Sequence, residues 1–177
     1  MTLLKTVRLA LSPCTPADRD DFIQLELDPE VMRLLNNGAV DHDGIDTANA
    51  PFLIPRGTEP NVWTARHNAD DEFLGWFCLL PKERVGAEIG YRLCRKAWGQ
   101  GLAAEGALAL IRWGFEVAGY DKIMASTMAV NRGSRRVMEK IGMKHARTDF
   151  LDFPDPIPDT EHGEVTYELT FSEWANN

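Results

Sequence analysis

Apolar positions along this chain follow two different rhythms, and the points where the rhythm changes mark its elements. Short apolar runs bounded by turn residues predict strands at Val7–Leu11, Val62–Arg66, Phe73–Leu80, Val85–Leu93, Lys122–Met128, Lys144–Phe150 and Glu164–Phe171. Helical spacing takes over elsewhere. Thr15-Pro16 reads as an N-cap followed by proline at the first helical position, with Asp18 in the first turn and a stripe of Phe22, Ile23 and Leu27 for burial. Asp28-Pro29-Glu30 restarts a second helix over Val31–Leu35, and Gly38 ends it. A long apolar run predicts a helix over Leu102–Ala118, and a further helix spans Asn131–Ile141 before Gly142. Between residues 39 and 60, Pro51, Pro55, Gly57 and Pro60 break any long element. A connection of that length is functional or hides a short helix.

The spacers decide the topology. Polar turns at Asn68–Asp71 and near Pro81–Glu83 are short enough for antiparallel hairpins. Lys122–Met128 follows a helical crossover and is therefore expected to lie parallel to the strand before that helix. The expected fold class is α/β: a mixed, mostly antiparallel sheet, one parallel pair near its middle, and flanking helices. The whole chain, 1–177, is expected to form one domain.

Composition narrows the partners. The net charge of −8 argues against nonspecific nucleic-acid binding through a basic face. No apolar stretch reaches membrane-spanning length, and charged residues interrupt the N-terminal run too early for a signal peptide, so a cytoplasmic location is expected. Cys14, Cys78 and Cys94 are odd in number and far apart, and no histidine lies at ligand spacing from another, so neither a disulfide framework nor a metal site is expected. Asp149, Asp152, Asp155, Asp159, Glu161 and Glu164 crowd a proline-rich stretch without lysine or arginine. Such a run is by default a solvated loop. A sharper reading makes it a rim that draws in a cationic amine.

The densest chemical signal is Trp98-Gly99-Gln100-Gly101-Leu102-Ala103-Ala104-Glu105, between a predicted strand and the long helix. A helix start has unpaired N–H groups and the positive end of the dipole, and glycines let an anion approach closely. This pattern reads as a pyrophosphate cradle. Gly99-x-Gly101-x-x-Ala104 also fits a dinucleotide fingerprint, with Asp121 twenty residues past Gly101. That fingerprint, however, opens the first βα unit of its fold and places the acid at the end of the next strand. Here four predicted strands precede the turn, and Asp121 precedes its strand.

The series Ala87-Glu88-Ile89-Gly90-Tyr91, the glycine turn, Asn131-x-x-Ser134 and Met138-Glu139-Lys140-x-Gly142-Met143 resembles the GNAT superfamily of N-acetyltransferases, closest to the branch of ribosomal-protein N-terminal acetyltransferases. The resemblance implies a parallel pair that splays at the centre of the sheet, and acetyl-CoA as cosubstrate. It implies that backbone groups of Gly99, Gln100, Gly101, Leu102, Ala103 and Ala104 hold the pyrophosphate. It implies that the backbone near Tyr91 and Leu93 pairs with pantetheine, and that Asn131 and Ser134 contact the thioester end. Trp98 stands where the family commonly has glutamine or arginine.

Direct attack by a primary amine on a thioester needs a base for the ammonium proton and a route out for the thiolate. Glu88 matches a carboxylate used as base in some members; otherwise it is a surface glutamate on a half-exposed strand. The family's usual acid, a tyrosine on the later helix, is replaced by Met138, which leaves Ser134 as candidate donor. Otherwise Ser134 is a polar residue in a helix first turn. Cys94 reads as a packed thiol, Tyr91 as a core aromatic, and Glu105 as a charge complementing the helix dipole. The expected activity is acetyl transfer to a protein N-terminus or small-molecule amine, with homodimers possible as in the superfamily. The rival is a non-catalytic acyl-CoA sensor or scaffold.

Overall fold

A computed structural model describes residues 2–40, 42, 57, 59–82, 86–152 and 156–176. Val85, Asp155 and most of the stretch from 39 to 60 lie outside the described residues. The strands are β1 (Leu4–Lys5), β2 (Leu9–Pro13), β3 (Val62–His67), β4 (Phe73–Lys82), β5 (Gly86–Leu93), β6 (Lys122–Met128), β7 (Lys144–Asp149) and β8 (Glu164–Thr170). The helices are α1 (Arg19–Glu26), α2 (Pro29–Asn36), α3 (Leu102–Glu116), α4 (Arg132–Lys140) and α5 (Phe171–Ala175). One sheet runs in the order β1-β2-β3-β4-β5-β6-β8-β7. Every neighbouring pair is antiparallel except β5 and β6, joined by the α3 crossover. The expected fold class is the observed one.

Both faces of the sheet are covered. Leu9, Leu11, Trp63, Phe77, Leu79 and Ile123 pack with Leu110 and Ile111 of α3 on one face. Phe22 and Leu25 of α1 pack on Val62, Trp76 and Cys78 on the other. Gly106 lets α3 come down onto the sheet, because a Cβ there would overlap the Phe77 ring. No helix among the described residues is long and apolar enough to cross a membrane.

Three details depart from expectation. The first strand is two: Thr6 N donates to Leu9 O, which folds the chain back and leaves Val7 90% exposed at the turn. Leu27 is exposed, and Leu25 and Glu26 take its place in the buried stripe of α1. A 3-10 turn over Pro16–Asp18 precedes the α-helix, and its tighter winding rotates the buried face. The chain also ends in α5, whose capping box of Thr170 and Glu173 was a readable start signal.

The feature that makes a cleft is the short parallel ladder. β5 and β6 pair only at Gly86↔Lys122, Ala87↔Ile123 and Glu88↔Met124, then diverge. Cys94 N donates to Leu74 O. With the antiparallel register Gly75↔Leu93 and Trp76↔Arg92, the residues of β5 that exchange bonds with β4 are therefore Arg92, Gly90 and Glu88. The N–H and C=O groups of Ile89, Tyr91 and Leu93 point the other way, into the opening.

Candidate active site at the splayed strands

Alternation on β5 sorts its side chains onto two faces of this opening. Glu88 and Arg92 face α1; Ile89, Tyr91 and Leu93 face α3 and α4. Arg92 is buried, pairs with the fully buried Glu26 at 3.2 Å and stacks over Trp76. Glu88 stays about a quarter exposed. Its Oε2 lies 2.7 Å from Lys82 Nζ, and its Oε1 accepts from Ser126 Oγ at 3.0 Å. Ser126 belongs to β6 just past the last paired residue, so this bond spans the mouth of the split. Lys82 and Ser126 each occupy one lone pair of a carboxylate that has about four, which leaves acceptor capacity for an incoming ammonium. Glu88 pushes the Lys82 ammonium above its ordinary value, so Lys82 stays charged beside it.

On the opposite face, Tyr91 Oη lies 3.0 Å from Ser134 Oγ. Ser134 is held by its helix start: Asn131 Oδ1 accepts from Ser134 N at 3.1 Å, while Asn131 Nδ2 donates to Thr127 Oγ1 at 3.0 Å. Asn131 is thus the N-cap of α4, a role that ties the helix to β6. Met138 is 2% exposed and belongs to the core.

The glycine turn has the geometry of an anion cradle. Gly99 and Gly101 have φ of 72° and 78°, the left-handed region that other residues avoid. Gly101 is the N-cap of α3 and has no side chain to cap it, so the first amides of Leu102, Ala103 and Ala104 lack intrahelical acceptors. The side chains of Leu93, Leu102 and Ala104 are buried in the core, so only their main chains can serve a ligand. A Cβ on Gly101 would lie 3.5 Å from Lys140 Nζ and 3.8 Å from Arg8 Nη2, so two cations flank the turn. Arg8 is fixed there by Glu105, with Nη2 2.7 Å from Oε2, and by the Gln100 carbonyl at 3.0 Å. Glu105 also accepts from Thr6 Oγ1 at 2.6 Å and Arg8 N at 2.8 Å. Burial opposes its charge, but these donors outweigh it and hold the carboxyl below its ordinary value. Glu105 therefore anchors the β1–β2 turn to the cradle, beyond complementing a dipole.

Trp98 donates its indole N–H to Leu93 O at 2.8 Å, and so occupies one carbonyl that faces the opening. Burial raises the Cys94 thiol, as expected for a packed cysteine and contrary to a nucleophile. The sequence gives Lys82, Ser126, Arg8 and Lys140 no site role, although Lys140 lies in the Met138–Met143 series; pairing register and helix packing bring them in. The acidic stretch reaches α2 through Asp159 and Arg33, 4.0 Å apart. A hollow of about 480 Å³ lies between α1 and the β3–β4 turn. Of these residues only Cys94 lines it, and two of its carboxylates are matched, Asp21 by Arg66 at 2.6 Å and Glu72 by Lys96 at 2.8 Å.

Comparison with known proteins agrees with this fold. The family described as acetyltransferase (GNAT) domain matches residues 8–144. An Aspergillus fumigatus protein named FsC-acetyl coenzyme A-N(2)-transacetylase is 34% identical over 97% of this chain and 77% of its own length. A GNAT-family acetyltransferase structure from Bacillus anthracis superposes with a TM-score of 0.76 at 22% identity, covering 96% of this chain and 98% of that one. The spermidine N-acetyltransferase of Vibrio cholerae, solved with CoA and spermine, superposes with a TM-score of 0.74 at 14% identity over 97% of this chain and all (100%) of that one, a likeness of fold alone.

Proposed function

From the premise that this chain belongs to the GNAT acetyltransferase family and works with acetyl-CoA, we propose that it acetylates a primary amine by direct attack in the split between β5 and β6. The cradle amides from Gly99 to Ala104 hold the diphosphate, flanked by Arg8 and Lys140. Pantetheine runs along β5 and pairs with the outward backbone of Tyr91 and with Leu93 N–H. The thioester then comes to rest near Glu88, with its sulfur toward Ser134 and the Asn131-capped start of α4.

The observation that carries this reading is the placement of opposite chemistry on opposite faces of one opening. Glu88 reaches the opening from the α1 side, where an amine enters. The Ser134 hydroxyl reaches it from the α4 side. The ammonium gives one proton to Glu88, directly or through water, its nitrogen lone pair attacks the carbonyl carbon, and the nitrogen's second proton passes to water as the amide forms. The carbon–sulfur bond breaks with its electrons on sulfur. A thiol has a pKa of about 8.5, so the thiolate is already a tolerable leaving group and a hydrogen bond from Ser134 suffices to assist it. This accounts for a buried Met138 at the position of the usual acid.

The acceptor is a protein N-terminus, as the resemblance to the ribosomal-protein branch suggests, or a small-molecule amine. The relative named for transfer to an N(2) nitrogen supports an amine in either case. The acidic stretch that meets α2 through Asp159 and Arg33 would serve as a rim that draws in a cationic amine. Release of CoA thiol from acetyl-CoA across a panel of amines and N-terminal peptides tests the reaction; no amine-dependent release would end it. Glu88→Gln should lower kcat by about a hundredfold, the lower range for a general base. A Gln variant matching wild type at saturating amine across the pH range would remove Glu88 from that role.

A further inference from the structure

We infer that Tyr91 is a positioning residue for the departing thiolate: its phenolic O–H donates to Ser134 Oγ and turns the serine hydrogen toward the sulfur. This rests on the reading of the opening as a thioester cleft and adds to it a second hydroxyl. Tyr91 sits three residues beyond Glu88, where β5 has already left β6, so its bond to Ser134 runs from one splayed strand to the helix that follows the other. Among the described residues, this phenol and Asn131 are the groups that fix Ser134: the amide oxygen takes its N–H, and the phenol meets its hydroxyl.

The direction of the bond follows from chemistry. A phenol is a stronger acid than an alkyl alcohol and is the better donor of the pair. The competing acceptor, the Ser134 carbonyl, lies 3.3 Å from Tyr91 Oη, farther than Oγ, and as a helical carbonyl it already faces an amide one turn on. Burial pushes the phenol up to about 12, so it keeps its hydrogen wherever an amine is reactive. With the phenolic hydrogen occupying one Oγ lone pair, the serine hydrogen is free to point into the cleft. No proton passes along the pair. The electrons of the carbon–sulfur bond leave on sulfur, both hydroxyl hydrogens stay where they are, and of the two protons the ammonium loses one leaves through Glu88 and the other to water.

A double-mutant cycle tests this with acetyl-CoA and the best amine of the panel. Tyr91→Phe keeps the ring against Phe77 and removes only the oxygen. It should lower kcat about tenfold, the effect of one hydrogen bond to a developing anion, with KM for acetyl-CoA unchanged. Ser134→Ala should cost about the same, and the double variant no more than either single one. Ser134→Thr should retain turnover and its dependence on Tyr91. An unchanged kcat in Tyr91→Phe overturns the inference, as does a rise in KM alone, which would mark mere packing against pantetheine. Equal losses for Tyr91→Phe with and without Ser134 overturn it too. Should Tyr91→Phe fold poorly, 3,5-difluorotyrosine at position 91 supplies a more acidic phenol of similar size. The high-pH limb of kcat should then move to lower pH, and an unmoved limb refutes the positioning role of Tyr91. Wild type inactive with every amine would instead refute the acetyl-transfer reading itself, before any variant is made.

Discussion

Alanine at Gly101 separates what the cradle needs from what the fold needs. Gly101 and Gly119 bracket α3, one at its start and one past its end, with φ of 78° and 75°. A Cβ on Gly119 would meet nothing within 4 Å, and one on Gly101 would approach only the tips of Lys140 and Arg8. Alanine in the left-handed region costs about 1 kcal/mol at either site, which for a chain of this length lowers Tm by about 2–4 °C. The two variants should thus lose equal stability without ligand. With CoA they should part. Only at Gly101 does the methyl group enter the space where amides of Leu102, Ala103 and Ala104 converge. If it weakens binding about tenfold, CoA at a concentration of about 100 wild-type Kd stabilises wild type and Gly119→Ala by about 2.7 kcal/mol, but Gly101→Ala by about 1.4 kcal/mol. Thermal unfolding with and without CoA, backed by calorimetric Kd values, measures both quantities. Equal ligand-induced shifts in the two variants would show that the diphosphate does not lie on this helix start.

Two further outcomes follow from packing and charge. Gly106→Ala puts a methyl group into the Phe77 ring and should cost about 1–3 kcal/mol of stability by overpacking; an unchanged denaturant midpoint would contradict the close contact of α3 with β4. Glu105 has a depressed carboxyl, so its contribution to stability is present above its ordinary value of 4.5 and fades as pH falls through the lower folded value. The stability gap between wild type and Glu105→Gln should therefore be full at neutral pH and shrink below about pH 4.5; a gap independent of pH would mean the Arg8–Thr6 anchor is not electrostatic.

Much of the site was legible because its parts are local. The glycine turn, the Asn131 cap and the strand bearing Glu88 each lie within a few consecutive residues, and their conformations depend on backbone freedom and capping that neighbouring residues dictate. Less legible were groups whose role depends on distant partners. Glu105 reads as a first-turn carboxylate until Arg8, ninety-seven residues earlier, is found on it. Tyr91 reads as core until α4 brings Ser134 to its hydroxyl. Glu26 falls on the buried face of α1 because a tight turn shifts the helix phase, and its burial is tolerable because Arg92 reaches it from β5 and His42 lies 3.2 Å from its other oxygen.

The chain alone determined the alternation that puts Glu88 and Tyr91 on opposite sides of one strand, the glycines that let a helix begin with bare amides, and the crossover that makes one strand pair parallel. These follow from steric rules acting over a few residues. Only the tertiary structure decided where that pair stops bonding, which cations stand at the turn, and which hydroxyl meets Ser134. Those depend on the register and packing of segments far apart in sequence, and no short-range rule contains them.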